Sequence, residues 1–257
     1  MELLTLVLVI VLSLCLTFYF LICNARRKEI KTAKRVLLVT SHPDDEVMFF
    51  GPTVLSMASN PNITLFLLCM SNGDYRREGQ TRKKELYHAC KILGIREGNI
   101  TVLSYTKLRD DPNLRWRDEI VSEVVLHNIE AQDVDTVITF DRHGVSGHKN
   151  HCALYTALAF LCHENRIPRT CRVFALRSVN FLRKYSSVFD VPMSFLLTPS
   201  AAYVAGPMQW LHLRKAMRAH YSQYVWFRKL YMLFSRYTLI NTYDEMTACL
   251  VGRQKRD

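Results

Sequence analysis

Five short apolar runs, Val36–Thr40, Ile63–Met70, Ile100–Leu103, Thr136–Phe140 and Arg172–Leu176, alternate with segments of helical length and period. Strands buried on both faces read as continuous apolar runs, and strands that alternate with helices build a parallel sheet covered on each side. The helical segments fall at Met48–Ser59, Thr81–Leu93, Glu119–Ile129 and His151–His163, and Gly94 stands where glycine commonly closes a helix. This alternation predicts an α/β fold, a Rossmann-like and mostly parallel sheet with helices on both faces. Right-handed crossovers then bring the strands' carboxyl ends to one edge, where open α/β sheets hold their ligands.

Three polar clusters land at those ends. His42-Pro43-Asp44-Asp45-Glu46 follows the first strand, Ser71-Asn72-Gly73-Asp74 the second and Asp141-Arg142-His143 the fourth. A histidine and three carboxylates in one loop suit a metal, with a carboxylate to spare for proton transfer. A second cluster, His148-Lys149-Asn150-His151, follows Gly144-Val145-Ser146-Gly147 and opens a helix, so its two histidines at i and i+3 can address one point. Catalytic zinc takes three protein ligands and keeps a position for water. His42, one aspartate of the pair and one histidine of the second cluster supply such a set. The other aspartate is then free to take a proton, and the other histidine to stabilise an oxyanion. Each cluster alone has a plainer reading as a helix cap or as acids complementing a helix dipole. The coincidence of both at strand ends favours a metal site.

The ends of the chain differ from this middle. Leu3–Cys23 carries no charge, and its twenty-one residues at about 1.5 Å each reach roughly 31 Å, a bilayer's apolar thickness. A cleaved signal peptide would start basic and have a shorter apolar run; here the one earlier charged side chain is Glu2. One transmembrane anchor is therefore expected over 1–23. A basic juxtamembrane segment follows over 24–35, a catalytic domain over 36–240 and a tail over 241–257. Six basic residues against one acid between Asn24 and Leu37 predict that the domain faces the cytosol. The sequons at Asn62 and Asn99 are then expected to stay unmodified.

The net charge of +11 is concentrated in that segment and after Met208, where nine basic residues face three acids. The folded middle is nearly neutral, which argues against nucleic acid and for an anionic membrane surface. From Trp210 to Phe234, Trp210, Leu213, Met217, His220, Tyr224, Phe227, Tyr231 and Phe234 recur at alternating three and four, with Arg214, Arg218, Arg228, Lys229 and Arg236 off the stripe. The pattern predicts a helix packed on the core, resting at a membrane interface, or both. Eight cysteines without paired spacing are expected to be reduced thiols, with Cys69 and Cys90 in the core.

The string from His42 to Glu46, together with Gly147-His148-Lys149-Asn150-His151, resembles the signature of the zinc-dependent N-acetylglucosaminyl deacetylases, the PIG-L or LmbE-like family. The likeness extends over Glu78–Leu86, Thr139–Asp141, Leu182–Tyr185 and Trp226–Tyr231, and the later segments resemble the family's lipid-linked branch. The resemblance implies His42, Asp45 and His151 as ligands of zinc or another divalent metal, Asp44 as general base and His148 as the residue that steadies the oxyanion. It implies that Glu46 orients the loop, and places Arg82 and Asp141 near the sugar without a role. Soluble relatives often carry Pro-Asp where this chain has Lys149-Asn150, which bears on the substrate branch and not on the metal. The implied reaction is deacetylation of N-acetylglucosamine linked to phosphatidylinositol, the second step of glycosylphosphatidylinositol anchor synthesis, at the endoplasmic reticulum membrane. Its rivals are deacetylation of a soluble N-acetylglucosamine conjugate and a catalytically silent membrane scaffold.

Overall fold

The computed structural model describes residues 2–25 and 28–246, with side chains at 4–20 and 28–246. Seven strands form one sheet: β1 (Arg35–Thr40), β2 (Thr64–Cys69), β3 (Ile100–Val102), β4 (Thr136–Phe140), β5 (Arg172–Leu176), β6 (Ala201–Val204) and β7 (Ile240–Glu245). Their order is β3-β2-β1-β4-β5-β7-β6. The first five are parallel, and β7 runs antiparallel between β5 and β6. The expected mostly parallel α/β sheet is thus present. Val36–Val39 are almost wholly buried, as a strand covered on both faces must be.

Chain order brings α1 (Glu2–Ala25), α2 (Asp45–Met48), α3 (Gly51–Ala58), α4 (Gly79–Leu93), α5 (Asp118–Ala131) and α6 (Gly144–Gly147). After these come α7 (Lys149–His163), α8 (Phe181–Lys184), α9 (Asp190–Leu196), α10 (Pro207–Ala219) and α11 (Trp226–Phe234). α3, α4 and α10 pack as one group and α5 with α7 as another, which the crossovers set on opposite faces of the sheet. Gly94 closes α4 in the left-handed conformation, as expected.

Four expectations need correction. The segment expected as one helix over Met48–Ser59 is two, because the backbone turns at Phe49 and Phe50 before Pro52 opens α3. The Trp210–Phe234 stripe is likewise two helices, broken from His220 to Val225, where the Ser222 amide and hydroxyl both bond the Glu85 carboxylate. Arg236, expected off the apolar stripe, is fully buried and pairs with Asp190 at 2.6 Å. Finally, the sheet runs past the expected domain boundary at 240, since β7 continues to Glu245. Its polar Asn241 is accommodated inside by bonds to Phe49 O, Thr53 and Tyr237 O.

The basic segment joins the fold too: Ile30 and Ala33 are buried, and Asp135 receives the amides of Lys34 and Arg35. Among the described residues no helix is long and apolar enough to cross a membrane. The described part of α1 docks on the domain through Phe18, against Phe195, and Tyr19, beside Val191 and Ile240. Cys15, Cys69, Cys90, Cys152, Cys162 and Cys171 are free, with Cys69 and Cys90 buried as expected.

Candidate metal centre and active site

The strand order reverses between β1 and β4, and the loops after these two strands carry the two clusters. Thr40 ends β1, so His42–Glu46 turns directly over the sheet edge into α2. After Phe140 the chain turns through Gly144 at φ +55° and Val145 at φ 63° into α7. A side chain at Gly144 would put its Cβ 2.6 Å from His151 Cβ, so glycine there lets the turn pass under the imidazole. His151 stacks on Phe140 with ring centroids 4.0 Å apart.

Hydrogen bonds fix which nitrogen carries the proton in His151 and His148. His151 Nδ1 lies 3.0 Å from Gly144 O, which can only accept, so Nδ1 is protonated and the Nε2 lone pair points away. That Nε2 is buried without a hydrogen-bond partner, 3.4 Å from Asp45 Oδ1. Two buried acceptors therefore face each other and call for a cation between them. His42 Nε2 lies 3.2 Å from Asp110 Oδ1, and Nδ1 is on the side of Asp45, 3.9 Å from Oδ2. Asn150 Nδ2 lies 3.1 Å from the same Nε2 and Asn150 Oδ1 is buried without a partner, so a proton on Nε2 goes with the amide turned to present Oδ1. His148 caps α7, its Nδ1 accepting from Asn150 N at 3.3 Å, so its Nε2 keeps the hydrogen. Nitrogens of the three imidazoles lie within 4.8 Å of one another.

Burial and the neighbouring charges act on each of these groups. Burial would raise the pKa of Asp45, but the His151 imidazole beside it and, after that, the neighbouring His42 with its amide outweigh this and hold the carboxyl well below its usual range. Burial lowers His42, and neighbouring imidazoles add to this, so it is neutral as a ligand must be. For His151 burial also favours the neutral form, but the Asp45 charge outweighs it and raises the pKa. His148 is lowered, by burial first and by His151 second. Ser41 N and His42 N donate to Asp45 Oδ2 and aim its other oxygen at His151. The donor set of His42, Asp45 and His151 thus fits a divalent cation.

Asp44 stands beside that set at φ 107°, 4% exposed. Glu46 Oε2 accepts the Asp44 amide at 3.0 Å, while Glu46 Oε1 meets His220 Nε2 at 2.6 Å. Glu46 thereby orients the loop, as expected. Arg82 frames the same loop: it donates to Pro43 O at 2.8 Å, to Gly73 O at 3.0 Å and to Asp110 at 3.0 Å. Asp141 is used within its own turn instead, accepting from the amides of His143, Gly144 and Ser178. A cavity of about 400 Å³ opens next to Asp110, lined by Asn72, Tyr75, Ser104 and Tyr105 among others.

Four residues of the site escape the sequence reading. Asp110 lies in a loop without periodicity, Asn150 is visible only as a departure inside the second cluster, His220 is placed on the helical stripe and Arg228 off it. No sequence signal separates His220 from its apolar neighbours on that stripe.

The GlcNAc-PI de-N-acetylase (PIG-L) family model matches residues 37–161. The chain is 47% identical to the N-acetylglucosaminyl-phosphatidylinositol de-N-acetylase of Bos taurus over 81% of this chain and 82% of that protein. It is 34% identical to a probable enzyme of the same name from Schizosaccharomyces pombe, over 82% and 87%. Among solved structures, the N,N'-diacetylchitobiose deacetylase of Pyrococcus horikoshii shares the fold, with a TM-score of 0.63, 17% identity, and coverage of 89% of this chain and 88% of that one.

Proposed function

This chain belongs to the GlcNAc-PI de-N-acetylase family, and on that premise we propose that it hydrolyses the acetamide of N-acetylglucosaminyl-phosphatidylinositol to acetate and glucosaminyl-phosphatidylinositol. The observation that carries this reading is the opposition of His151 Nε2 and Asp45 Oδ1, two buried acceptors, beside the Asp44 carboxylate and an imidazole donor. A divalent cation held by His42, Asp45 and His151, zinc in our proposal, would polarise the acetyl carbonyl and acidify water. Asp44 takes the proton of the attacking water and delivers it to the departing sugar nitrogen. His148 Nε2–H donates to the carbonyl oxygen as charge develops there. Burial of the three ligands excludes competing water, and the strained Asp44 backbone holds the base in place.

We further propose that the enzyme is anchored by residues 1–23 in the endoplasmic reticulum membrane with the domain facing the cytosol. The uncharged run Leu3–Cys23 and the basic segment after it support this reading, as does the exposure of Leu4, Leu8 and Leu14 along α1.

Acetate release from GlcNAc-phosphatidylinositol, measured with and without a chelator and after metal is restored, tests the reaction and the metal together. Asp44→Asn is expected to keep stoichiometric metal while losing activity by about a hundredfold or more, whereas His151→Ala loses the metal. Equal metal loss in both would remove the division of roles. Turnover of a water-soluble N-acetylglucosamine conjugate that matches the lipid-linked substrate would favour the soluble reading instead.

A further inference from the structure

Asp44 meets two cations on one carboxylate oxygen. Arg228 Nη2 lies 2.9 Å from Oδ2 and Arg82 Nη2 lies 3.6 Å from the same atom. Neither contact is an aligned hydrogen bond, so both are ionic. In both pairs Oδ2 is the carboxylate oxygen that comes nearest. The two guanidinium groups have different attachments. Arg82 is tied to the β1 and β2 loops by Pro43 O and Gly73 O, and moves only with them. Arg228 comes from α11, far along the chain. Its Nη1 donates to Gln223 O at 2.9 Å and to Gln223 Oε1 at 2.7 Å. Gln223 is itself held by Ser222, which bonds the buried Glu85 of α4. The planar fork is therefore fixed at one end by the turn between α10 and α11, and its other end is aimed at Asp44.

An arginine brought this far to a single oxygen has a definite effect. With Oδ2 drawn to two guanidinium groups, the carboxylate is restrained about its last torsion, and Oδ1 is the oxygen left further from both. We propose that Arg228 is a positioning residue for Asp44. It selects the oxygen that takes the proton and keeps this carboxylate from competing with Asp45 for the cation. The proposal rests on the deacetylase reading above.

The test uses the full chain on GlcNAc-phosphatidylinositol in mixed micelles, with metal content and thermal unfolding recorded for each variant. Arg228→Ala is expected to lower kcat on the order of tenfold or more, to change KM by less than about threefold, and to leave metal content intact. Arg228→Lys restores part of kcat, because it returns the charge without the fork. In an Asp44→Asn background, Arg228→Ala has no further effect. If Arg228→Ala does not fold, Gln223→Ala, which removes the side-chain bond to the guanidinium and keeps the one to Gln223 O, shows the same kcat loss in milder form. An unchanged kcat, or a raised KM with kcat kept, overturns the proposal, the latter making Arg228 a substrate contact. A wild-type enzyme that releases no acetate sinks the deacetylase reading and the proposal with it, whereas an active wild type with additive losses in the double variant sinks the proposal alone.

Discussion

Asp44 is held at φ 107°, a conformation that costs on the order of 1–3 kcal/mol for a residue with a side chain. Its neighbours supply the restraint. Glu46 accepts the Asp44 amide, and His220 binds the far oxygen of Glu46 where neither is exposed to water. Removing the imidazole leaves a buried carboxylate alone, so His220→Ala is expected to destabilise the protein by about 3–5 kcal/mol. Burial favours neutral His220, but the Glu46 charge outweighs it and raises the pKa. A raised folded pKa contributes stability that is complete below the unfolded value near 6.5 and is lost as pH rises through the folded one. The stability gap between wild type and His220→Gln should therefore narrow above about pH 6.5. Denaturant unfolding between about pH 6 and 9 measures it; a gap that does not change with pH would argue that His220 is uncharged.

At the level of elements, β4 and β5 lie where the apolar runs place them, and β1 and β2 differ by a residue or so. Such strands are legible because burial on both faces leaves no room for polar residues. β7 is not, since Asn241, Thr242 and Asp244 look like loop residues until their bonds to Phe49 O, Thr53, Arg236 and Arg177 are seen. The break between α10 and α11 is hidden for the opposite reason: the apolar stripe continues in phase across a turn held by Glu85, a contact distant in sequence. The two histidine-bearing loops were readable because each joins a strand to a helix with ligand-type residues at the junction. That junction also makes a prediction at its own scale. At Gly144 the backbone is left-handed and an added Cβ meets His151, so Gly144→Ala should displace the imidazole before it disturbs the sheet. Metal affinity is expected to fall by about tenfold to a hundredfold with far-ultraviolet circular dichroism unchanged. Competition with a chromophoric chelator checks this, and unaltered affinity would mean that the turn yields elsewhere.

Across the whole molecule, exposed apolar side chains gather on linked elements rather than singly. Phe181 and Leu182 on α8, Met193 and Leu196 on α9, and Trp226, Phe227, Leu230 and Phe234 on α11 all project from the surface. These elements touch in series: Tyr231 of α11 meets Tyr185 after α8, Arg183 of α8 pairs with Asp190 of α9, and Phe195 of α9 packs on Phe18 of α1. Tyr231 also abuts Phe49, whose ring meets His151, so the apolar surface begins two rings from the proposed metal. Clustered exposed apolar side chains mark a contact surface, and with the lipid-linked substrate proposed above we propose the bilayer as what they contact. Full burial of one such side chain contributes about 1.5–3 kcal/mol. Even partial insertion of three therefore exceeds the roughly 1.4 kcal/mol that a tenfold change in binding requires. Replacing Leu182, Trp226 and Leu230 together by serine should raise KM for substrate in vesicles by at least about tenfold. Turnover of the water-soluble headgroup should stay at the wild-type value, since none of the three touches the ligands or Asp44. Parallel kinetics on the two substrate forms, with vesicle sedimentation as an independent readout, separate the outcomes. Equal losses on both would place the effect of these residues in the fold and leave α1 as the sole proposed contact with the bilayer.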